Sequence, residues 1–224
     1  MGTIRQDVNY PTMNITPGIL AKDENDCKTK LQLAELKNER FHLDALDNTL
    51  VHGSCWADPN IIGTWKELPE IEIHLMVTHP ARHATIWKTR VPTLKNVIIP
   101  AEAIRDPQRM CEKLKLMGLT VTIAINPKTP VEAFNDMKGC ADELLIMGVE
   151  PGASGQPFLG EVILAKIMRA RALFPNLSIC VDGGVNTKSI QAIANAGATR
   201  AIATSAIWKS ASPLEELQRL ESML

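Results

Sequence analysis

The chain has 224 residues and a mass of 24.6 kDa, enough for one α/β barrel of about 200 to 250 residues or for two smaller domains. With 24 Lys and Arg against 25 Asp and Glu the formal charge is −1, and no basic cluster follows a phosphate backbone, which argues against nucleic acid as a partner. Five scattered cysteines without a Cys-x-x-Cys pair, no apolar leader in the first 13 residues and no run of about 18 apolar residues set the expectation of a reduced, cytoplasmic chain with no membrane partner.

Residues 1–13 read as an N-terminal arm with little local preference, and 14–224 as one domain. Strand-like segments are expected at 15–20, 40–44, 71–76, 95–99, 120–125, 144–147, 177–181 and 200–203. Helical stretches follow them near 24–37, 60–66, 81–88, 106–117, 130–137, 160–174, 187–196 and 213–223. Repeated strand-then-helix units mean parallel strands with helical crossovers, and about eight of them in this length predict an α/β fold of the (β/α)8 TIM-barrel type. No Gly-x-Gly-x-x-Gly and no Gly-x-x-x-x-Gly-Lys-Ser/Thr is present, which removes the main support for a dinucleotide or P-loop fold.

Three of the strands alternate in a telling way. Phe41 and Leu43, then Ile71, Ile73 and Leu75, then Leu177, Ile179 and Val181 are apolar, while His42 with Asp44, His74 and Asp182 occupy positions between them. Successive side chains point to opposite faces of a strand, so the imidazoles and carboxylates share the non-apolar face. A lone His-x-Asp is more often a satisfied buried pair, but four such groups from three strands need a metal or substrate to offset their burial. The expectation is a site for a divalent first-row metal, Zn, Fe, Mn or Co, or an acid/base site, or both.

Glycine-rich segments follow the late strands. Gly183 and Gly184 come directly after Asp182, Thr204 and Ser205 follow the last strand, and Gly152, Ser154, Gly155 and Gln156 form the loop after the sixth. Such loops present backbone N–H groups to an anion, and barrels often hold phosphate beyond strands seven and eight. Met76 and Met147, at strand ends, read equally as core filler or as an apolar wall that keeps water from a reacting carbon. His52, His79 and His83 read as surface or packing residues.

These blocks, together with Ile15 through Leu20, Asn126 through Pro130, Met147 through Phe158 and Ser205-Ala206-Ile207, occur in an order that resembles the ribulose-phosphate 3-epimerase family over nearly the whole chain after the arm. The resemblance implies a (β/α)8 barrel that interconverts D-ribulose 5-phosphate and D-xylulose 5-phosphate, a small-molecule sugar phosphate. It implies a divalent metal held by His42, Asp44, His74 and Asp182, with Asp44 and Asp182 exchanging protons at C3 from opposite faces through a metal-stabilised enediolate. Inverting a centre in this way requires two bases.

The chain also departs from that pattern. Gly18, on the expected pocket wall, stands where the family usually has serine, and Thr204-Ser205 stands where it has Gly-Ser. Leu46-Asp47-Asn48 replaces Met-Asp-Gly, Ala153-Ser154-Gly155 replaces aromatic-Gly-Gly, and Pro100 replaces a histidine. Two alternatives stay open: an epimerase of a ketohexose 6-phosphate such as allulose 6-phosphate, and a catalytically silent barrel that binds a sugar phosphate. Association into a homo-oligomer also stays open.

Overall fold

The computed structural model describes residues 13–35 and 40–224. The arm expected at 1–13 lies outside the described residues except for Met13, which is 4 % exposed and packs into the core. Eight strands, β1 (Asn14–Ile19), β2 (Phe41–Leu46), β3 (Ile71–Met76), β4 (Leu94–Pro100), β5 (Thr120–Ile125), β6 (Glu143–Met147), β7 (Ser178–Asp182) and β8 (Arg200–Ala203), close into a barrel in sequence order. Each is parallel to the next, and β8 returns to β1 through pairs such as Thr16 with Ile202. This is the expected TIM barrel.

The helices are α1 (Glu24–Glu35), α2 (Pro59–Ile62), α3 (Pro80–Arg90), α4 (Pro107–Leu116), α5 (Glu161–Leu173), α6 (Ile190–Asn195), α7 (Ser205–Trp208) and α8 (Pro213–Glu221). Four of them, α2, α3, α4 and α8, begin with proline, whose missing N–H costs nothing at a helix start. Asp58 and Asp106 cap α2 and α4 by accepting from the amides of Asn60 and Arg109.

Two differences from the sequence reading have local causes. The crossover after β5 is a 3-10 helix, Val131–Asp136, not an α-helix. Its buried residues Val131 and Phe134, with Met137 directly after it, recur every third position, which is the repeat of a 3-10 helix, where side chains three apart eclipse. The short helix α7 was not expected. Four residues carry too little periodicity to be seen.

All six residues of β2 and of β3 are buried, so their polarity alternates between two interiors. Leu43, Ile73, Val97, Ile123 and Ile146 face the helices in the main apolar core, whereas Ile98, Ala124, Leu145, Met147, Cys180 and Ile202 fill the barrel itself. Near the N-terminal ends of the strands the barrel interior turns polar. There Arg200 donates to Glu72 at 2.7 Å, to Glu143 at 2.5 Å and to Thr16 at 3.2 Å, and Asn96, Thr122 and Ser178 complete the ring through further bonds to the two carboxylates. This closed network plugs the bottom of the barrel and leaves the other end to the site.

Candidate active site

The alternation of β2 and β3 delivers His42, Asp44 and His74 into the barrel, and β7 ends on Asp182 facing them. Asp44 and His74 are direct register partners, which sets one carboxylate beside one imidazole. His42 Nε2 lies 3.1 Å from Asp44 Oδ1 and 3.9 Å from Asp182 Oδ2; His74 Nδ1 lies 3.5 and 3.7 Å from the same two oxygens. One ligand atom from each of the four residues falls within 4.8 Å of all the others. Opposite ligands of a first-row ion, each bonded at about 2.0 to 2.2 Å, stand about 4.3 Å apart, so a small contraction would close the set on one cation.

Two observations test whether these residues fit a metal. Both ring nitrogens of His74 are buried without a hydrogen-bond partner among the described residues, a state that native interiors rarely tolerate unless a ligand takes the lone pair. The electrostatics agree. Burial pushes the His42 imidazole down, yet Asp44, Glu72 and Asp182 together raise it to about 10. Burial would raise the Asp44 carboxyl, yet the two imidazoles hold it well below the usual carboxylate range. His42, Asp44 and His74 are each shifted toward the charged form, so the cluster calls for positive charge at its centre, as protons or as a metal ion.

Glu72, which the sequence reading passed over, orients this cluster. Its carboxylate accepts from His42 Nδ1 at 3.0 Å, and Arg200 with the His42 hydrogen bond outweighs the effect of burial to bring it down to about 2. An ionised carboxylate can only accept, so Nδ1 carries a hydrogen and Nε2 is the nitrogen turned toward Asp44 and Asp182; it donates to Asp44 at 3.1 Å while the ring is charged and offers its lone pair to a cation that displaces that proton. The signal was present in the sequence: Glu72 sits two residues before His74 on the same face of β3.

Above the cluster, a cavity opens at the C-terminal end of the strands, the end that carries active sites in barrels. Asp44 and Asp182 form its floor, Met76 and Met147 line it beside Leu46, and Gly152, Ser154, Gly155, Gln156, Gly183, Gly184, Thr204 and Ser205 form its far side. His42 and His74 lie beneath the carboxylates with no exposure. Gly183 and Gly184 adopt φ of 102° and 71°, which only glycine takes without strain. A Cβ at Gly184 would also sit 2.6 Å from the backbone nitrogen of Phe158, so the loops after β6 and β7 can close together only around a glycine. Gln156 serves that loop by donating to the carbonyls of Glu150 and Ala153 at 2.7 and 3.0 Å.

Other expectations need adjustment. Gly18 is buried and does not line the cavity; Thr204 Oγ1 fills the space where its side chain would be. Strand β2 runs on to Leu46, so His42 lies in its interior and not at its tip. The unusual loop after β2 is held in place by a bond from the Cys55 thiol to the Asp44 carbonyl and by the Trp56 amide on the Ala21 carbonyl. His52 and His79 are exposed and His83 is half-buried, all away from the cluster.

Comparison with known proteins gives a consistent result. The chain is 29% identical over 214 residues to a ribulose-phosphate 3-epimerase of Schizosaccharomyces pombe, covering 93% of this chain and 92% of that one. It is 30% identical over 210 residues to one of Methanocaldococcus jannaschii, covering 88% and 84%. Among solved structures, the 3-hexulose-6-phosphate synthase of Salmonella typhimurium superposes with a TM-score of 0.67 at 15% identity over 95% of this chain and 98% of that one, a likeness of fold alone. Residues 14–208 match the family described as ribulose-phosphate 3 epimerase. The chain therefore belongs to the ribulose-phosphate 3-epimerase family.

Proposed function

We propose that this protein is a divalent-metal-dependent isomerase that inverts C3 of a phosphorylated ketose, D-ribulose 5-phosphate to D-xylulose 5-phosphate in the first instance. The supporting observation is the cluster itself: two imidazoles and two carboxylates of one cation's span, set at the floor of a cavity whose opposite side is made of glycine-rich loops. His42, Asp44, His74 and Asp182 would hold the cation, which supplies Lewis acidity toward the ketose oxygens and so makes the proton at C3 removable. Asp44 and Asp182 face the cavity from strands on different sides of the barrel. One carboxylate takes the C3 proton and the other returns one to the opposite face. Amides and hydroxyls of Gly152, Ser154, Gly155, Gly183, Gly184 and Ser205 would bind the phosphate, while Met76 and Met147 keep water from the reacting carbon. The barrel at 14–224 carries all of this.

The decisive experiment incubates the metal-loaded protein with D-ribulose 5-phosphate in deuterium oxide and follows C3 by NMR. Deuterium entering C3 with formation of D-xylulose 5-phosphate is the expected result; no exchange on any ketose phosphate rejects the reading in favour of a silent sugar-phosphate-binding barrel. A second substrate merits the same assay. Leu20, Ser154, Thr204 and Ser205 also border an adjoining cleft that holds Lys22, Lys30 and Lys209, which would admit a longer ketohexose 6-phosphate such as allulose 6-phosphate. The five cysteines are all free, in keeping with a reducing, cytoplasmic setting, and among the described residues no helix is long and apolar enough to cross a membrane.

A further inference from the structure

Three observations meet at the junction of β1 and β8. A Cβ built on Gly18 would lie 2.3 Å from Thr204 Oγ1 and 2.7 Å from Ile202 Cγ2, distances at which no side chain fits without displacing a neighbour. The Gly18 carbonyl accepts the indole N–H of Trp208 at 2.5 Å, which ties the backbone of β1 to α7 at this point. Thr204 borders the cavity, and its hydroxyl makes no hydrogen bond among the described residues and is not fully sealed from solvent. Residue 18 points into the barrel, as Thr16 does two positions earlier, and is the register partner of His42; Ile202, two residues before Thr204, is the register partner of Asp182. The space in question therefore adjoins the cluster directly.

We propose that Gly18 and Thr204 act as one unit, in which glycine on β1 leaves an inward position empty so that the Thr204 hydroxyl occupies it and binds an oxygen of the substrate between the carboxylate floor and the glycine loops. A hydroxyl held at a cavity wall without a partner has its donor and acceptor capacity free for a ligand. Anchored on the short turn of α7, it is a specificity-determining group that touches substrate, and it cannot coexist with a side chain at 18. The identity of the ligand rests on the ketose-phosphate reading above; the shared space does not.

The test is a cycle of Gly18→Ser, Thr204→Gly and the double variant, with Thr204→Val and Thr204→Ser beside it. Gly18→Ser alone is expected to lower the melting temperature by roughly 5 °C through overpacking, and Thr204→Gly in the same chain to recover at least half of that loss. Thr204→Val, which keeps the shape and removes the hydroxyl, is expected to raise KM for D-ribulose 5-phosphate about tenfold with little change in kcat or melting temperature, and Thr204→Ser to recover most of the effect. Melting shifts that simply add, or a Thr204→Val protein with wild-type KM, would overturn the proposal. If the wild type exchanges no C3 proton, it is the catalytic reading that fails. The melting cycle then still decides the shared space, and the calorimetric Kd for D-ribulose 5-phosphate replaces KM.

Discussion

Two buried polar assemblies sit one above the other inside the same barrel, and they are built on opposite principles. At the bottom, Glu72, Glu143, Asn96, Thr122, Ser178, Thr16 and Arg200 close their hydrogen bonds on one another, two carboxylates sharing one guanidinium. One layer higher, His42, Asp44, His74 and Asp182 place two carboxylates against two imidazoles, and both nitrogens of His74 have no hydrogen-bond partner among the described residues. Both layers bear the desolvation cost of burial; the lower one offsets it with closed hydrogen bonds, whereas the upper one does so only in part, through His42 with Asp44 and Glu72, and leaves His74 unbonded among the described residues. Buried polarity that satisfies itself stabilises the fold, whereas buried polarity with open valences marks the place where something else must bind. Glu72 belongs to both: it accepts from Arg200 below and from His42 above.

The comparison can be broken at several points. Asp182→Asn keeps the shape of the upper layer but removes a proton acceptor, and is expected to reduce C3 exchange by about a thousandfold or more; wild-type exchange would take Asp182 out of the chemistry. Arg200→Met leaves Glu72 and Glu143 buried without their cation, and should destabilise the protein by about 3 to 5 kcal/mol in urea unfolding. An unchanged midpoint would show that the lower layer is not the self-satisfied network described. Glu72→Gln tests the link between layers: it weakens the grip on His42 Nδ1, and affinity for Co²⁺ or Zn²⁺ by titration calorimetry should fall about 10- to 100-fold. Equal affinity would make the layers independent.

The smallest effect concerns the apolar shell. Burial, the largest cause in each case, raises the Cys27 and Cys111 thiols from 9.0 to about 12. A raised value in the folded state favours the neutral thiol, so this contribution to stability is complete below pH 9 and fades as pH climbs toward 12. Both cysteines should resist a thiol-specific reagent at pH 8 in the native protein and react promptly in urea. Fast labelling of the native protein would show that the shell opens more readily than its packing implies.

Much of the site was legible before any coordinates. Strand periodicity put His42, Asp44, His74 and Asp182 on one face, because a β-strand's period of two is a local property written directly into the order of residues. Glycine pairs after β7 signalled a close backbone approach for the same reason. Glu72 shares the inward face of β3 with His74, so the same periodicity could have found it; Arg200 was not singled out, since nothing local distinguishes a buried charge from a solvated one until its partner arrives, and Arg200 meets Glu72 across 128 positions of chain. The Gly18 and Thr204 departures looked like two unrelated substitutions; their interdependence is a contact between residues 186 positions apart, visible only as a distance.

By itself, then, the order of amino acids determined the eight strands, most of the helices, the barrel and the inward face of the strands that carry the site, all of which follow from short-range periodicity and chain chirality. Only closure of the barrel decided which inward residues meet, which of them satisfy one another, and which are left with open valences above them. Hydrogen bonds and desolvation depend on separations of a few ångströms between distant positions, and no local pattern carries that information.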